Sequence, residues 1–162
     1  MVAEDLASWR RDSKPIFRLN TEAMRLLNHL RGTAMPNPIE TVSAFCATFV
    51  EDGGRPAVRR WFTPNTRWVN EGVSVTNGVE EAIAMIDGLE TSMGISTVHI
   101  DMLAIAADGS RVLTERLDRF ERADGSEIGR VMIMGIFEIE GDKIVEWRDY
   151  FDVTAVQKFS AV

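Results

Sequence analysis

From Pro38 onward, the apolar positions of the chain change period part-way along. Ile39, Val42, Phe45, Cys46 and Phe49 recur at the spacing of one helix face, and Asp52-Gly53-Gly54 stops the run. A second short helix is predicted over Arg55 to Phe62, with Pro56 suited to its first turn. Arg67 to Val75 reads as extended, and Asn77-Gly78 turns the chain into a third helix carrying Val79, Ala82, Ile83, Met85, Ile86 and Leu89. After Gly94 the period shortens to that of strands. Runs of about 97–106, 110–121, 127–139 and 143–152 are separated by Asp108-Gly109, Asp124-Gly125 and Gly141-Asp142, which are hairpin-turn residues. Helices first and an antiparallel meander after them indicate an α+β domain with the helices gathered on one side.

Residues 1–36 look like an N-terminal extension. It carries a short amphipathic helix over Glu22 to Leu30 and ends where Gly32, Pro36 and Pro38 forbid a continuing helix. Residues 37–162 are expected to form a single domain, since a chain of 162 residues suffices for one real core. With 45% hydrophobic and 27% charged residues the composition is that of an ordinary globule. No apolar run approaches the ~20 residues that cross a bilayer, and Met1 to Asp12 lacks the apolar centre of a signal peptide. The expectation is a cytoplasmic protein with no membrane partner. A net charge of −7 argues against nucleic acid, whose binding needs a basic face. Cys46 is the single cysteine and reads as a small core residue. His29 and His99 lack metal-ligand spacing, so no metal site is expected.

Two segments set charges among bulky apolar neighbours, where they are costly unless paired: Arg116-Leu117-Asp118 and Trp147-Arg148-Asp149-Tyr150-Phe151-Asp152. An Arg-x-Asp pair on a strand is most often a solvent-facing ion pair worth little, and Glu115 and Arg119 fit that description. If Glu121 pairs with Glu127 and Ile139 with Ile144, then Arg116, Asp118, Met132, Met134, Asp149 and Phe151 share one face of the meander. A one-residue slip at either turn would undo this register. The two aspartates would stand about 10 Å apart across an intervening strand. Arg116 has a fork of donors long enough to bridge them. The expected pocket has Asp118, Arg116 and Asp149 at its base. Its walls are Met132, Met134, Trp147 and Phe151, with Met85, Leu89, Met93 and Leu103 setting its volume. Such a pocket suits a largely apolar ligand with one polar reactive group.

The run Val112-Leu113-Thr114-Glu115-Arg116-Leu117-Asp118, followed by Gly135-Ile136-Phe137-Glu138-Ile139 and by Lys143 through Asp152, resembles the limonene-1,2-epoxide hydrolase family. The similarity runs in order and spacing from about Pro38 to Phe151. It implies a cone-shaped fold of the NTF2-like (nuclear-transport-factor-2-like), SnoaL-like or ketosteroid-isomerase-like type. In that fold a curved, mixed, largely antiparallel sheet carries helices on its concave face. It also implies a homodimer and a cofactor-free attack of water on an apolar epoxide. On this resemblance Asp149 is the general base toward water, Asp118 the general acid toward the epoxide oxygen, and Arg116 the bridge between them. Asn70 matches a water-holding asparagine, while Trp68 stands where the family has tyrosine. Indole only donates a hydrogen bond, whereas a phenol also accepts one. Asp118 can act as the acid only if desolvation outweighs the nearby arginine.

Two other readings share the pocket. An isomerase or polyketide cyclase would use a carboxylate to remove a carbon-bound proton. A noncatalytic binding module would store a lipid-like ligand, and Trp68 favours that reading while the acid–arginine–acid set opposes it. Leu113, Leu117, Ile133 and Tyr150 are assigned to the outer face of the last strands, where they suggest sheet-to-sheet dimerisation.

Overall fold

The computed structural model describes residues 37–160, so the extension and its helix over Glu22 to Leu30 lie outside the described residues. Helix α1 (Pro38–Glu51) starts on an Asn37 cap whose Oδ1 accepts from the Ile39 N–H at 3.0 Å, with proline at its first position. Helix α2 (Gly54–Trp61) follows at once. Strands β1 (Phe62–Asn70) and β2 (Ser74–Asn77) form a hairpin, after which α3 (Gly78–Met93) ends on Gly94 in the left-handed conformation. The meander comprises β3 (Thr97–Asp108), β4 (Arg111–Glu121), β5 (Glu127–Glu140) and β6 (Lys143–Phe151). A short helix α4 (Val153–Gln157) and a 3-10 turn (Lys158–Ser160) close the described chain. No helix among the described residues is long and apolar enough to cross a membrane.

The sheet runs β2-β1-β6-β5-β4-β3, and every pairing is antiparallel except β1 with β6. It is therefore mixed and largely antiparallel, with α1, α2 and α3 on what we call its inner face. The stripe expected on α1 is the one that packs. Val42, Phe45 and Cys46 are buried, and Phe45 meets the Trp147 ring edge-on at 5.2 Å. Arg67 to Val75, expected as one extended run, is instead two strands. Gly72 at φ +73° lets the chain reverse, and the Val73 N–H closes the turn on the Asn70 carbonyl at 2.9 Å.

Register is where the sequence reading and the structure part. Glu121 does face Glu127 and Ile139 does face Ile144, as expected, but a bulge follows each turn. Phe120 faces Gly129, leaving Ile128 extra on β5, and Glu138 faces Glu146, leaving Val145 extra on β6. The two slips compensate. Strands β4 and β6 keep their phase, so Arg116, Asp118, Asp149 and Phe151 share the inner face, while β5 is displaced by one residue between them. Val131, Ile133 and Gly135 take the inner positions expected of Met132 and Met134. Ile133, assigned to the outer face, is buried on the inner one.

Candidate active site

The bulges place three β4 and β6 side chains in a chain of contacts across β5. Arg116 is level with Ile133, Asp118 with Val131, and Asp149 with Gly135. Arg116 is 0% exposed, and its Nη2 donates to Asp149 Oδ2 at 2.8 Å. Its Nε lies 3.5 Å from Asp118 Oδ1, a charge contact without a hydrogen bond. Gly135 is the crossing point. A Cβ built there would sit 2.6 Å from Thr114 Oγ1, 2.8 Å from Asp149 Oδ1 and 3.1 Å from Arg116 Nη1, so no side chain fits between guanidinium and carboxylate.

Aromatic rings line the rest of this charged group. Trp147 Nε1 donates to Asp149 Oδ1 at 2.7 Å, so each oxygen of that carboxylate receives a hydrogen bond. Trp68 and Phe137 both stack on Trp147, Trp68 at 4.3 Å and 6° between planes and Phe137 at 5.3 Å and 16°. The guanidinium carbon stands 5.5 Å from the Trp147 ring centre and 5.7 Å from that of Phe137. Parallel pairing of β1 with β6 sets Trp68 beside Trp147 and Asn70 beside Asp149.

Both acids open on a cavity of about 450 Å³ with mostly apolar walls, among them Phe49, Met85, Leu89, Met93, Ile100, Val131, Ile133 and Phe151. Trp68, Asn70 and Trp147 also line it. Three residues expected in the walls are elsewhere. Met132 (49% exposed) and Met134 (55%) point outward because of the β5 slip. Leu103 is 54% exposed because it is the extra residue of a bulge between Met102 and Ala104.

Three contributors escaped the sequence reading. Gly135 stood inside a quoted motif without a role, and only its contacts reveal one. Phe159 lines the cavity and fills the space left by Gly129, where a Cβ would sit 2.1 Å from its ring. Ser74, on the cavity wall, faces Asn70 across the β1–β2 hairpin. The Glu71-Gly72 pair is the turn signal that could have located it.

Burial dominates the electrostatics. It pushes the Asp118 carboxyl up to about 6, against the pull of Arg116 and with help from the Asp149 charge. Asp149 is also raised by burial, while the Arg116 charge and the hydrogen bonds from Arg116 and Trp147 act in the opposite sense. Those hydrogen bonds favour ionised Asp149, whereas Asp118 Oδ1 has no hydrogen-bond partner among the described residues. Burial disfavours the charge on Arg116, but the two carboxylates outweigh it and hold the guanidinium protonated. The thiol of Cys46 is pushed up to about 12 by burial and stays protonated.

A family model described as the limonene-1,2-epoxide hydrolase catalytic domain matches residues 36–161. The chain belongs to the limonene-1,2-epoxide hydrolase family. Epoxide hydrolase EphG of Mycobacterium tuberculosis is similar at 32% identity over 84 residues, which is 52% of this chain and 53% of that protein. The match thus spans about half the length of this curated relative. The solved structure of an M. tuberculosis LEH-like epoxide hydrolase superposes with a TM-score of 0.60 at 27% identity, covering 78% of this chain and 86% of that one. An NTF2-like protein of unknown function from Burkholderia pseudomallei gives a TM-score of 0.67 at 19% identity, covering 79% and 100%, and shows the fold alone. The architecture of this limonene-1,2-epoxide hydrolase family member is accordingly NTF2-like.

Proposed function

We propose that the protein is an epoxide hydrolase that adds water to a largely apolar epoxide in one step, giving a vicinal diol. The observation that carries this reading is Arg116, wholly buried and joined to Asp149 while touching Asp118, with both acids facing an apolar cavity. Burying ions costs several kcal/mol each unless they are well paired, so a site that only binds grease gains nothing from them. Family membership supports the same chemistry.

In this reading Asp149, hydrogen-bonded on both oxygens, is ionised, and Asp118, whose Oδ1 has no hydrogen bond, carries the proton. Ionised Asp149 takes a proton from water as the water oxygen bonds to an epoxide carbon. The ring C–O bond breaks, and the departing oxygen receives the Asp118 proton. Turnover leaves the two acids with exchanged protonation, and return of one proton from Asp149 to Asp118 restores the site. Arg116 stabilises whichever carboxylate is ionised, and no covalent enzyme intermediate forms. The apolar walls bind the hydrocarbon body of the substrate and exclude bulk water.

Turnover of a panel of cyclic and styrene-type epoxides in ¹⁸O-labelled water tests the reading. One labelled oxygen in each diol is expected. A reaction that rearranges a substrate without incorporating solvent oxygen would assign the site to an isomerase or cyclase instead.

The outer face carries a contiguous apolar patch in which Met134 stands between Glu115 and Tyr150, with Leu113, Leu117 and Met132 nearby. We infer that a second copy of the chain covers it, forming a sheet-to-sheet homodimer. Analytical ultracentrifugation checks this, with a monomer expected for Met134→Lys and a dimer for the unaltered chain.

A further inference from the structure

Asn70 stands on β1 between two different neighbours, because the sheet order β2-β1-β6 puts Ser74 on one side and Asp149 on the other. On the β2 side the Asn70 Nδ2 donates to Ser74 Oγ at 3.2 Å, and Ser74 Oγ donates to Met85 Sδ at 3.2 Å. The sulfur of Met85 also lies 3.7 Å from Asn70 Nδ2. A thioether only accepts, so the sulfur fixes the direction of the chain: the hydroxyl gives its proton to Met85 and its lone pair receives the amide N–H. The amide is planar. Its nitrogen is thereby committed toward β2, while Asp149 is its ladder neighbour on β6.

We propose that Ser74 is a positioning residue that, backed by Met85, locks the Asn70 amide with its carbonyl oxygen turned toward Asp149, the orientation in which the water-holding role that the family resemblance gives this asparagine can be performed. The proposal rests on the hydrolase reading for its kinetic consequence. Water attacks through a lone pair, so the holding groups must accept its two protons. Asp149 supplies one acceptor and Asn70 Oδ1 the other. A flipped amide would present Nδ2 instead, donating into the lone pair that has to form the new C–O bond. Trp68 cannot substitute as an acceptor, since indole only donates and its Nε1 is buried without a partner. The orientation of one amide therefore decides whether water is held for attack or against it.

Ser74→Ala removes the lock without touching the acids. The expected result is a fall in kcat of about fivefold to tenfold, with KM changed less than about twofold, and recovery of kcat in Ser74→Thr. Met85→Leu, which keeps the wall apolar but removes the sulfur acceptor, should lower kcat in the same sense by a smaller factor. A second readout does not need turnover. In protein labelled with ¹⁵N on asparagine side chains, Asn70 should show one slowly exchanging Hδ2 proton, assigned by its loss in Asn70→Asp, and Ser74→Ala should shift that signal and speed its exchange. Unchanged Asn70 signals in Ser74→Ala overturn the proposal, whatever happens to the rate. Altered Asn70 signals with undiminished kcat in Ser74→Ala overturn the kinetic part. If the unaltered protein hydrolyses no epoxide yet the Asn70 signals respond as described, the hydrolase reading falls and the lock on the amide stands.

Discussion

Asp101 and Asp118 lie one residue apart across the β3–β4 ladder, each beside an arginine of β4, and their carboxyls respond in opposite ways. Asp101 is on the outer face, where Arg119 Nε donates to it at 3.0 Å in contact with solvent. The hydrogen bond from Arg119 holds the Asp101 carboxyl below its ordinary value. Asp118 is on the inner face, 3.5 Å from Arg116, and burial raises it to about 6. A neighbouring arginine therefore does not by itself determine an acid's state. Water does: with solvent present the guanidinium wins, and with solvent removed the cost of a bare carboxylate wins. Asp149, buried as deeply, is raised in the same direction as Asp118, but a hydrogen bond on each of its oxygens acts against that rise. One sheet thus carries a solvated ion pair on one side and two buried carboxyls around a buried guanidinium on the other.

The largest break in this comparison comes from Asp149→Asn. The amide keeps the shape of the carboxylate and cannot take a proton from water, so kcat should fall by about 10³-fold, within the range of lost general-base catalysis. Single-turnover rates with an epoxide substrate measure it, and a circular dichroism spectrum like that of the unaltered protein would confirm that the fold survives. Retention of more than a tenth of the rate would remove Asp149 from the role of base.

Gly135→Ala tests the inner arrangement without changing any charge. Its methyl would need space already taken by Thr114 Oγ1, Asp149 Oδ1 and Arg116 Nη1. Overpacking of this kind costs about 1–3 kcal/mol of stability. Displacing a catalytic carboxylate by a fraction of an ångström to 1 Å lowers kcat by up to about 10²-fold. Chemical denaturation and steady-state kinetics on the same variant report the two effects separately, and an unperturbed rate would show that Asp149 can move without consequence.

The pattern of this site was partly legible in the sequence. Arg116 and Asp118 could be put on one face because side chains alternate along a strand, and Asp149 joins them as expected because the slips on the two sides of β5 cancel. The Met132 and Met134 placements depended on how far β5 slides against both neighbours. That slide comes from Ile128 and Val145, ordinary strand residues whose status as extra residues depends on packing across the sheet. The same limit hid Gly135, since its role arises only when β5 is displaced by one. On the helical side the stripe of α1 was clear from its apolar spacing and its stop at Asp52-Gly53-Gly54, whereas Phe159 gave no signal beyond being one aromatic residue near the end of the chain. Local chemistry was readable; contacts set by bulges were not.

A smaller and reversible effect comes from pH. If Asp118 is the acid that serves the leaving oxygen, as proposed, the rate should fall as pH rises through about 6, approaching tenfold per pH unit well above it. Stability should show the matching trend. The Asp118 carboxyl binds its proton more tightly in the folded chain than an ordinary aspartate at 3.8, so this group's contribution is fully present below 3.8 and is lost as pH rises to about 6. Asp101 contributes in the opposite sense, with stability present above 3.8 and lost as pH falls through its lowered value. Comparing the pH profile of the unaltered protein with that of Asp118→Asn isolates the inner acid, because the limb near pH 6 should vanish in the variant.

The smallest effect belongs to the outer pair. Arg119→Ala removes a guanidinium that holds Asp101 at 3.0 Å, only slightly longer than the 2.8 Å between Arg116 and Asp149 inside. In solvent both partners regain water when separated, and the side chains recover rotamer freedom. Turnover should be unchanged and the melting temperature should stay within experimental error. The titration of Asp101, followed by NMR of its carboxyl carbon, should move back up toward the ordinary aspartate value, because the hydrogen bond that held it down is gone. A loss of activity in Arg119→Ala would mean that the two faces of β4 are electrostatically connected, and the assignment of chemistry to the inner face alone would fail.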